Sequence, residues 1–210
     1  VTLKLWGRAS SVNVQKVLWA LVELDLPFER IDAGGKFGVV DTDPFGRMNP
    51  VRRVPVLQDG DFTLWESQAV LRYLAQREGR LLPKDLQGRA IADQWLAFVD
   101  TTLMGPFIGV FWQLVRMPEP KRDLAALQAH RKALTVALGM LDGRLREAKW
   151  LGGGEFGIAD IAAGSILHRI MDLGLMPAEM SGVERWRLAI EHRHGYQVHV
   201  AVSYDELRAG

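Results

Sequence analysis

Cysteine is absent from the 210 residues. Its absence excludes disulfides and any mechanism in which the protein's own thiol attacks a substrate; thiol chemistry here needs a thiol that arrives with the substrate. A charge excess of either sign is also missing: 26 Lys+Arg stand against 25 Asp+Glu. The arginines are scattered along the chain without a basic block, which argues against a nucleic-acid partner. No stretch reads as apolar and uncharged for long enough to cross a bilayer, and the Ala/Ile-rich run from Ile158 carries Asp160 within it. The opening residues, Val1-Thr2-Leu3-Lys4-Leu5-Trp6, alternate like a strand and lack the apolar centre of a secretory signal. These absences predict a cytoplasmic protein with neither nucleic acid nor membrane as partner. Internal repeats and low-complexity tracts are lacking too.

What is present is ordinary globular material. Hydrophobic residues make up 48% of the chain, ample for a core, and the length suits one large domain or two small ones. Over residues 1–79 strand and helix signals alternate. Leu3 to Gly7 reads as a strand ending in a turn, and Val14, Val17, Leu18, Leu21 and Leu24 fall at helical spacing. Pro27 stops that helix before a second strand, Phe28 to Asp32. Ala33 to Asn49 has no clean period and reads as loop with at most one irregular helix. Val54 to Gln58 is a third strand, Asp59-Gly60-Asp61 a tight hairpin turn, and Phe62 to Trp65 a fourth strand. A helix then opens at Glu66-Ser67.

This order, βαβ-α-ββα, predicts a thioredoxin-like α/β domain over 1–79. Residues 80–87 hold Gly, Pro and charge without a period and serve as linker. An all-α domain follows over 88–210. Its helical runs are Leu86 to Val115 (bent or broken at Gly105-Pro106), Lys121 to Ala148, Ile158 to Leu173, and Val183 to His194. Only the last few residues leave room for another strand.

Three local signals bear on chemistry. Gly7-Arg8-Ala9-Ser10-Ser11-Val12-Asn13 joins the first strand to the first helix. Serines there commonly cap free backbone N–H groups, and on pattern alone capping outweighs catalysis. The same geometry suits an anion, to which a hydroxyl can donate. Arg53-Val54-Pro55 brings a proline into a strand beside a basic residue, and most X–Pro bonds are trans. Trp65-Glu66-Ser67-Gln68 lies at a strand-to-helix junction, where Glu66 and Ser67 also read as a first-turn acid and a cap.

The order and spacing of these signals say more than each alone. Asn49-Pro50, Arg53 to Leu57, Asp59 to Ser67 and Leu71-Arg72-Tyr73-Leu74 resemble the glutathione-binding domain of cytosolic glutathione transferases, closest to theta-like bacterial members that use serine. Trp150 to Ile161 resembles the loop and cap before that family's central buried helix. The resemblance implies glutathione as co-substrate, conjugation to small hydrophobic electrophiles in detoxification, and a homodimer. It implies a cis Pro55 that turns the Val54 backbone toward the cysteinyl part of glutathione. Glu66 and Ser67 would hold its γ-glutamyl end, with Arg53 at the glycyl carboxylate. Ser11 matches the thiolate-stabilising serine, Ser10 is its rival and Asn13 a second donor. The chain departs from the pattern at Gly157, where a Ser or Thr usually caps the helix three residues before Asp160, and over Gly34 to Arg47, where Val39-Val40 lie near the place of a histidine.

The second domain is expected to supply the electrophile pocket. Candidates are Met104, Phe107, Ile108, Phe111 and Trp112, joined by Arg8 from the first turn; a stripe of this kind is more often core. His192, His194 and His199 lack a cysteine or carboxylate cluster to complete a metal site, so no metal is expected. Gly34-Gly35-Lys36-Phe37-Gly38 lacks the spacing of a phosphate loop. Two rivals to conjugation remain, namely glutathione-dependent isomerisation or dehalogenation and a non-catalytic binding or assembly module of the same fold.

Overall fold

The computed structural model describes residues 2–209, so Val1, counted above with the opening alternation, lies outside it. The chain forms two compact units, Val1–Arg80 with Arg193–Val202, and Leu81–His192 with Ser203–Gly210. The stretch 193–202, expected within the helical domain, is thus counted with the first unit.

The first unit is a four-stranded mixed sheet with helices: β1 (Leu3–Trp6), α1 (Val12–Glu23), β2 (Phe28–Ile31), α2 (Asp43–Met48), β3 (Val56–Asp59), β4 (Phe62–Trp65) and α3 (Ser67–Glu78), in the sheet order β2-β1-β3-β4. β1 pairs parallel to β2 and antiparallel to β3, and β3 pairs antiparallel to β4 across the Gly60-Asp61 turn. This is the thioredoxin-like order that the alternating signals predict. Val14, Val17, Leu18 and Leu21 are buried along α1, as their spacing requires. The third strand begins at Val56 rather than Val54, because Pro55 has no N–H for the ladder; the Val54-Pro55 bond is cis. The irregular stretch from Ala33 resolves into a 3₁₀ turn, Gly35–Phe37, and the short α2, whose Phe45 N–H donates to Thr42 Oγ1.

The second unit holds α4 (Leu86–Phe98), α5 (Met104–Phe111), α6 (Leu124–Glu147), α7 (Ile158–Gly164), α8 (Leu167–Asp172) and α9 (Ser181–Glu191). Gly105-Pro106 does not break the first run. Pro106 cannot donate, and the helix absorbs the defect in a π turn at Val99–Leu103, where Met104 N–H reaches back five residues to Val99 O. A second π turn, Trp112–Arg116, ends the run. The continuous helix Leu86–Arg116 is long and apolar enough by composition to cross a membrane, which corrects the reading that no window qualifies. Its buried residues Leu96, Val99, Leu103, Phe107, Val110 and Val115 belong to the core of the helical unit. The run from Ile158 is two helices, parted at Ser165-Ile166.

No strand forms near the end of the chain among the described residues. Instead α10 (His194–His199) packs on α1, with Tyr196 edge-on to Trp19 at 5.3 Å and Arg193 in a double hydrogen bond to Glu23. The chain then closes on the helical unit, where Ala209 N–H donates to Val115 O at 2.7 Å.

Candidate functional site

Strand register decides what meets at the site. Trp6 is opposite both Ile31 and Val56, and Val56 is opposite Trp65. The residues just beyond β1, β2 and β4 and just before β3 therefore share one edge of the sheet. Gly7 and Arg8, Asp32 and Ala33, Glu66 and Ser67, and the cis Val54-Pro55 pair come together although they are distant in sequence. Their approach is close: a Cβ added to Gly7 would lie 3.3 Å from Val54 Cβ. The N-termini of α1 and α3 both open at this edge.

At the first helix Ser11 occupies the N-cap, yet its side chain makes no capping hydrogen bond. The capping alternative is thus not used, and its half-buried hydroxyl is available to a ligand. Gln15 N–H makes the first intrahelical bond, to Ser11 O, leaving the N–H groups of Val12, Asn13 and Val14 ahead of it. Ser10 is buried and Asn13 half-buried on the first turn. At α3, Glu66 sits at φ 68, where non-glycine residues are rare, and its exposed carboxylate does not cap the helix. Ser67 is buried beside it as the first helical residue. The Tyr73 hydroxyl donates to Asp59 Oδ2 at 2.6 Å and Arg77 pairs with the same oxygen at 3.0 Å, tying α3 to the β3–β4 hairpin. That hydrogen bond, with burial, raises the Tyr73 pKa and keeps it a donor.

The loop before the cis bond is organised by residues whose role the sequence did not disclose. Buried Asn49 donates from Nδ2 to Arg53 O at 2.8 Å and accepts from Val51 N–H at 2.9 Å, an Asx turn that aims Arg53-Val54 at the site. Arg52, at φ 55, reaches the carbonyls of Val40 and Thr42 and so holds the entry to α2. Arg53 itself is exposed and makes no side-chain hydrogen bond among the described residues. The Asn-Pro dipeptide was the one available hint of a turn here; nothing local distinguishes Arg52 from Arg53.

In the helical unit the five apolar candidates divide. Met104, Phe107 and Phe111 are core, Phe107 at 1% exposure. Ile108 and Trp112 are exposed, at 50% and 53%, one turn apart on α5 and the π turn that follows. Only these two present a substantial free apolar surface. The Arg169 guanidinium lies 5.0 Å from the ring centroids of both Phe111 and Tyr204.

Family models match both units. Residues 1–76 match the model described as glutathione S-transferase, N-terminal domain, and residues 90–194 the model described as glutathione S-transferase, C-terminal domain. The chain belongs to the glutathione S-transferase family. Glutathione S-transferase GstB of Escherichia coli strain K12 is 39% identical to this family member over 195 residues, covering 91% of this chain and 94% of the relative. Human glutathione S-transferase theta-1 is 34% identical over 178 residues, 80% of this chain and 73% of the human protein. A theta class glutathione S-transferase from Xanthomonas axonopodis pv. citri, solved with glutathione bound, superposes with a TM-score of 0.92 at 34% identity, over 96% of this chain and 98% of that one. The N-terminal match spans every candidate from Arg8 to Ser67, and the C-terminal match spans Met104 to Trp112.

Proposed function

We propose that this glutathione S-transferase joins the sulfur of glutathione to small apolar electrophiles, in the cytoplasm where the tripeptide is kept reduced. The observation that carries the reading is the uncommitted Ser11 hydroxyl at the α1 N-terminus, on the same sheet edge as the cis Val54-Pro55 pair and Glu66-Ser67. In this reading the Val54 backbone aligns the cysteinyl residue. Glu66 takes the ligand's ammonium, Ser67 and the open N–H groups of α3 take its α-carboxylate, and Arg53 takes the glycyl carboxylate. The thiol proton goes to solvent. The thiolate, held by Ser11 and the α1 dipole, forms a C–S bond as a leaving group such as chloride departs with the bonding pair. Ile108 and Trp112 offer the apolar surface for the acceptor.

Magnitudes assign the labour. A free thiol with a pKa of about 8.5 is about 3% ionised at pH 7. Lowering that by about two units needs roughly 2.7 kcal/mol. One helix end, up to about 1–2 kcal/mol, and one hydrogen bond to a charge, about 1.5–3, suffice. Ionisation rises about 25-fold, but the less basic thiolate loses about eightfold in nucleophilicity, a net gain of about threefold. Most of the acceleration must come from holding thiolate and acceptor together.

The test is turnover of glutathione with chlorodinitrobenzene, alongside the ultraviolet thiolate absorbance of the binary complex against pH. Ser11→Ala is expected to raise the bound thiol's pKa by about one to two units. Unchanged turnover and unchanged pKa in that variant remove Ser11 from the mechanism. Glutathione recovered intact among the products moves the reaction to isomerisation, and retention on glutathione resin without turnover moves the protein to the binding modules. We also infer a homodimer. A cavity of about 550 Å³ lined by Thr101, Pro106, Lys132, Ala133 and exposed Val136 offers an apolar face for a second copy. Sedimentation at micromolar concentration that gives only monomer refutes this.

A further inference from the structure

The Gly34-Gly35-Lys36-Phe37-Gly38 run is no phosphate loop, and the fold gives its glycines another task. The loop closes on itself, with Gly34 N–H donating to Gly38 O at 2.8 Å and Gly38 N–H to Gly35 O at 3.2 Å. Gly34 and Gly35 sit at φ 77 and 60, a region glycine enters without steric cost. What lies over them is Arg8. A Cβ on Gly34 would fall 3.2 Å from Arg8 Nη1 and 3.4 Å from Val54 Cγ1; one on Gly35 would fall 3.2 Å from Arg8 Cδ and 3.4 Å from Nε. The arginine side chain is laid along bare backbone, and its Nε is shut away from solvent. Its main chain is fixed as well, with Arg8 N–H on Ala33 O at 3.0 Å and Ser11 N–H on Arg8 O at 3.1 Å. Arg8 and Ser11 are therefore the two ends of a single turn.

We infer that Gly34 and Gly35 form a seat for Arg8, and that the seated guanidinium selects electrophiles that carry a carboxylate. The inference rests on the glutathione reading above, since it is the sulfur at Ser11 that brings an acceptor within reach of Arg8. A guanidinium presents a planar fork that matches a carboxylate with two hydrogen bonds. An arginine already pinned along its length loses little freedom on making them. Arg8 acts here as a specificity-determining residue, and Gly34 and Gly35 act through it as positioning residues.

Binding of two conjugates tests this without depending on turnover. S-(4-carboxybenzyl)glutathione and its carboxamide, S-(4-carbamoylbenzyl)glutathione, share the whole tripeptide and differ only in the charge beyond the sulfur. By calorimetry the carboxylate conjugate is expected to bind tighter by about tenfold or more, the usual strength of a charge-assisted pair. Arg8→Met and Gly35→Ala should each abolish that preference while still binding the carboxamide, which also shows that they fold. Gly38→Ala is the control. It also places a side chain at positive φ, 61, but its Cβ would meet nothing within 4 Å, so the preference should survive. Equal affinity of the unaltered protein for both conjugates overturns the inference. Equal loss for both in Arg8→Met also overturns it, because Arg8 then holds glutathione itself. Loss of preference in Gly38→Ala as in Gly35→Ala overturns the seat. Failure of the unaltered protein to bind either conjugate at millimolar concentration sinks the glutathione reading, and this inference with it.

Discussion

Asp160 is wholly buried, and its two carboxylate oxygens accept from Leu151 N–H and Gly157 N–H at 3.0 Å each and from the Trp186 indole at 2.8 Å. Three donors favour the charged form, but burial outweighs them and pushes its pKa up from 3.8 to about 6. A raised carboxyl pKa makes its contribution to stability greatest below the unfolded value of 3.8. That contribution is lost as pH rises through about 6. We expect the stability advantage of the native protein over Asp160→Asn to shrink by on the order of 3 kcal/mol between pH 4 and pH 7, read from urea midpoints; a constant difference across that range contradicts the argument. Its neighbour Gly157 shows why a cap residue departs from the family pattern. A Cβ there would lie 2.6 Å from Leu81 O, the carbonyl that accepts from Ile158 N–H at 3.1 Å. Gly157→Ser should therefore destabilise by about 1–3 kcal/mol despite adding a capping hydroxyl, and a gain in unfolding midpoint would count against the steric account.

In the helical unit α4 and α6 are capped by their own Asp85 and Asp123, whereas α9 takes its cap from elsewhere in the chain. α9 starts without a capping side chain of its own, and Asp142 on α6 supplies one, accepting from Gly182 N–H at 2.8 Å and Val183 N–H at 3.0 Å. Gly182 permits the approach, since its Cβ would fall 2.6 Å from Asp142 O. The buried carboxylate thus satisfies two orphan donors and sits at the positive end of the α9 dipole. Asp142→Ala is expected to cost about 1–3 kcal/mol and to lower amide protection in the first turn of α9 ahead of the rest of the unit. Uniform loss of protection would show that the cap is not local to α9. A different close approach joins α5 to α6: the His130 ring lies where a Cβ on Gly109 would be, at 2.4 Å.

At the scale of the whole molecule, the chain visits its first unit twice. After the helical unit, residues 193–202 return to it and 203–210 belong to the second again. Trp19 is fully buried, and Gly195 and Tyr196 of α10 cover it, the former with room for no side chain. A chain ended at His192 should lose this cover, with red-shifted tryptophan emission and a lower thermal midpoint, while Tyr196→Leu, which keeps an apolar cover, should lose less. An unshifted emission spectrum in the truncated chain would mean that α10 contributes nothing to the packing of Trp19.

Local periodicity was enough for much of this architecture. The first and fourth strands and the α1 stripe of Val14, Val17, Leu18 and Leu21 are properties of residues near one another in sequence and formed where their patterns placed them, while the hairpin turn narrowed to Gly60-Asp61 with Asp59 in the strand. The lack of cysteine likewise settled, without any structure, that no thiol of the chain's own can be the nucleophile. Tertiary structure decided the rest. Which of the apolar residues from Met104 to Trp112 face solvent, why position 157 is glycine, and that Arg8 lies on Gly34 and Gly35 all depend on chain segments far apart in sequence. The physical reason is range: periodicity reports how neighbours share a face, whereas burial, remote caps and the fit of one backbone against a distant side chain exist only once strand pairing has brought those segments together.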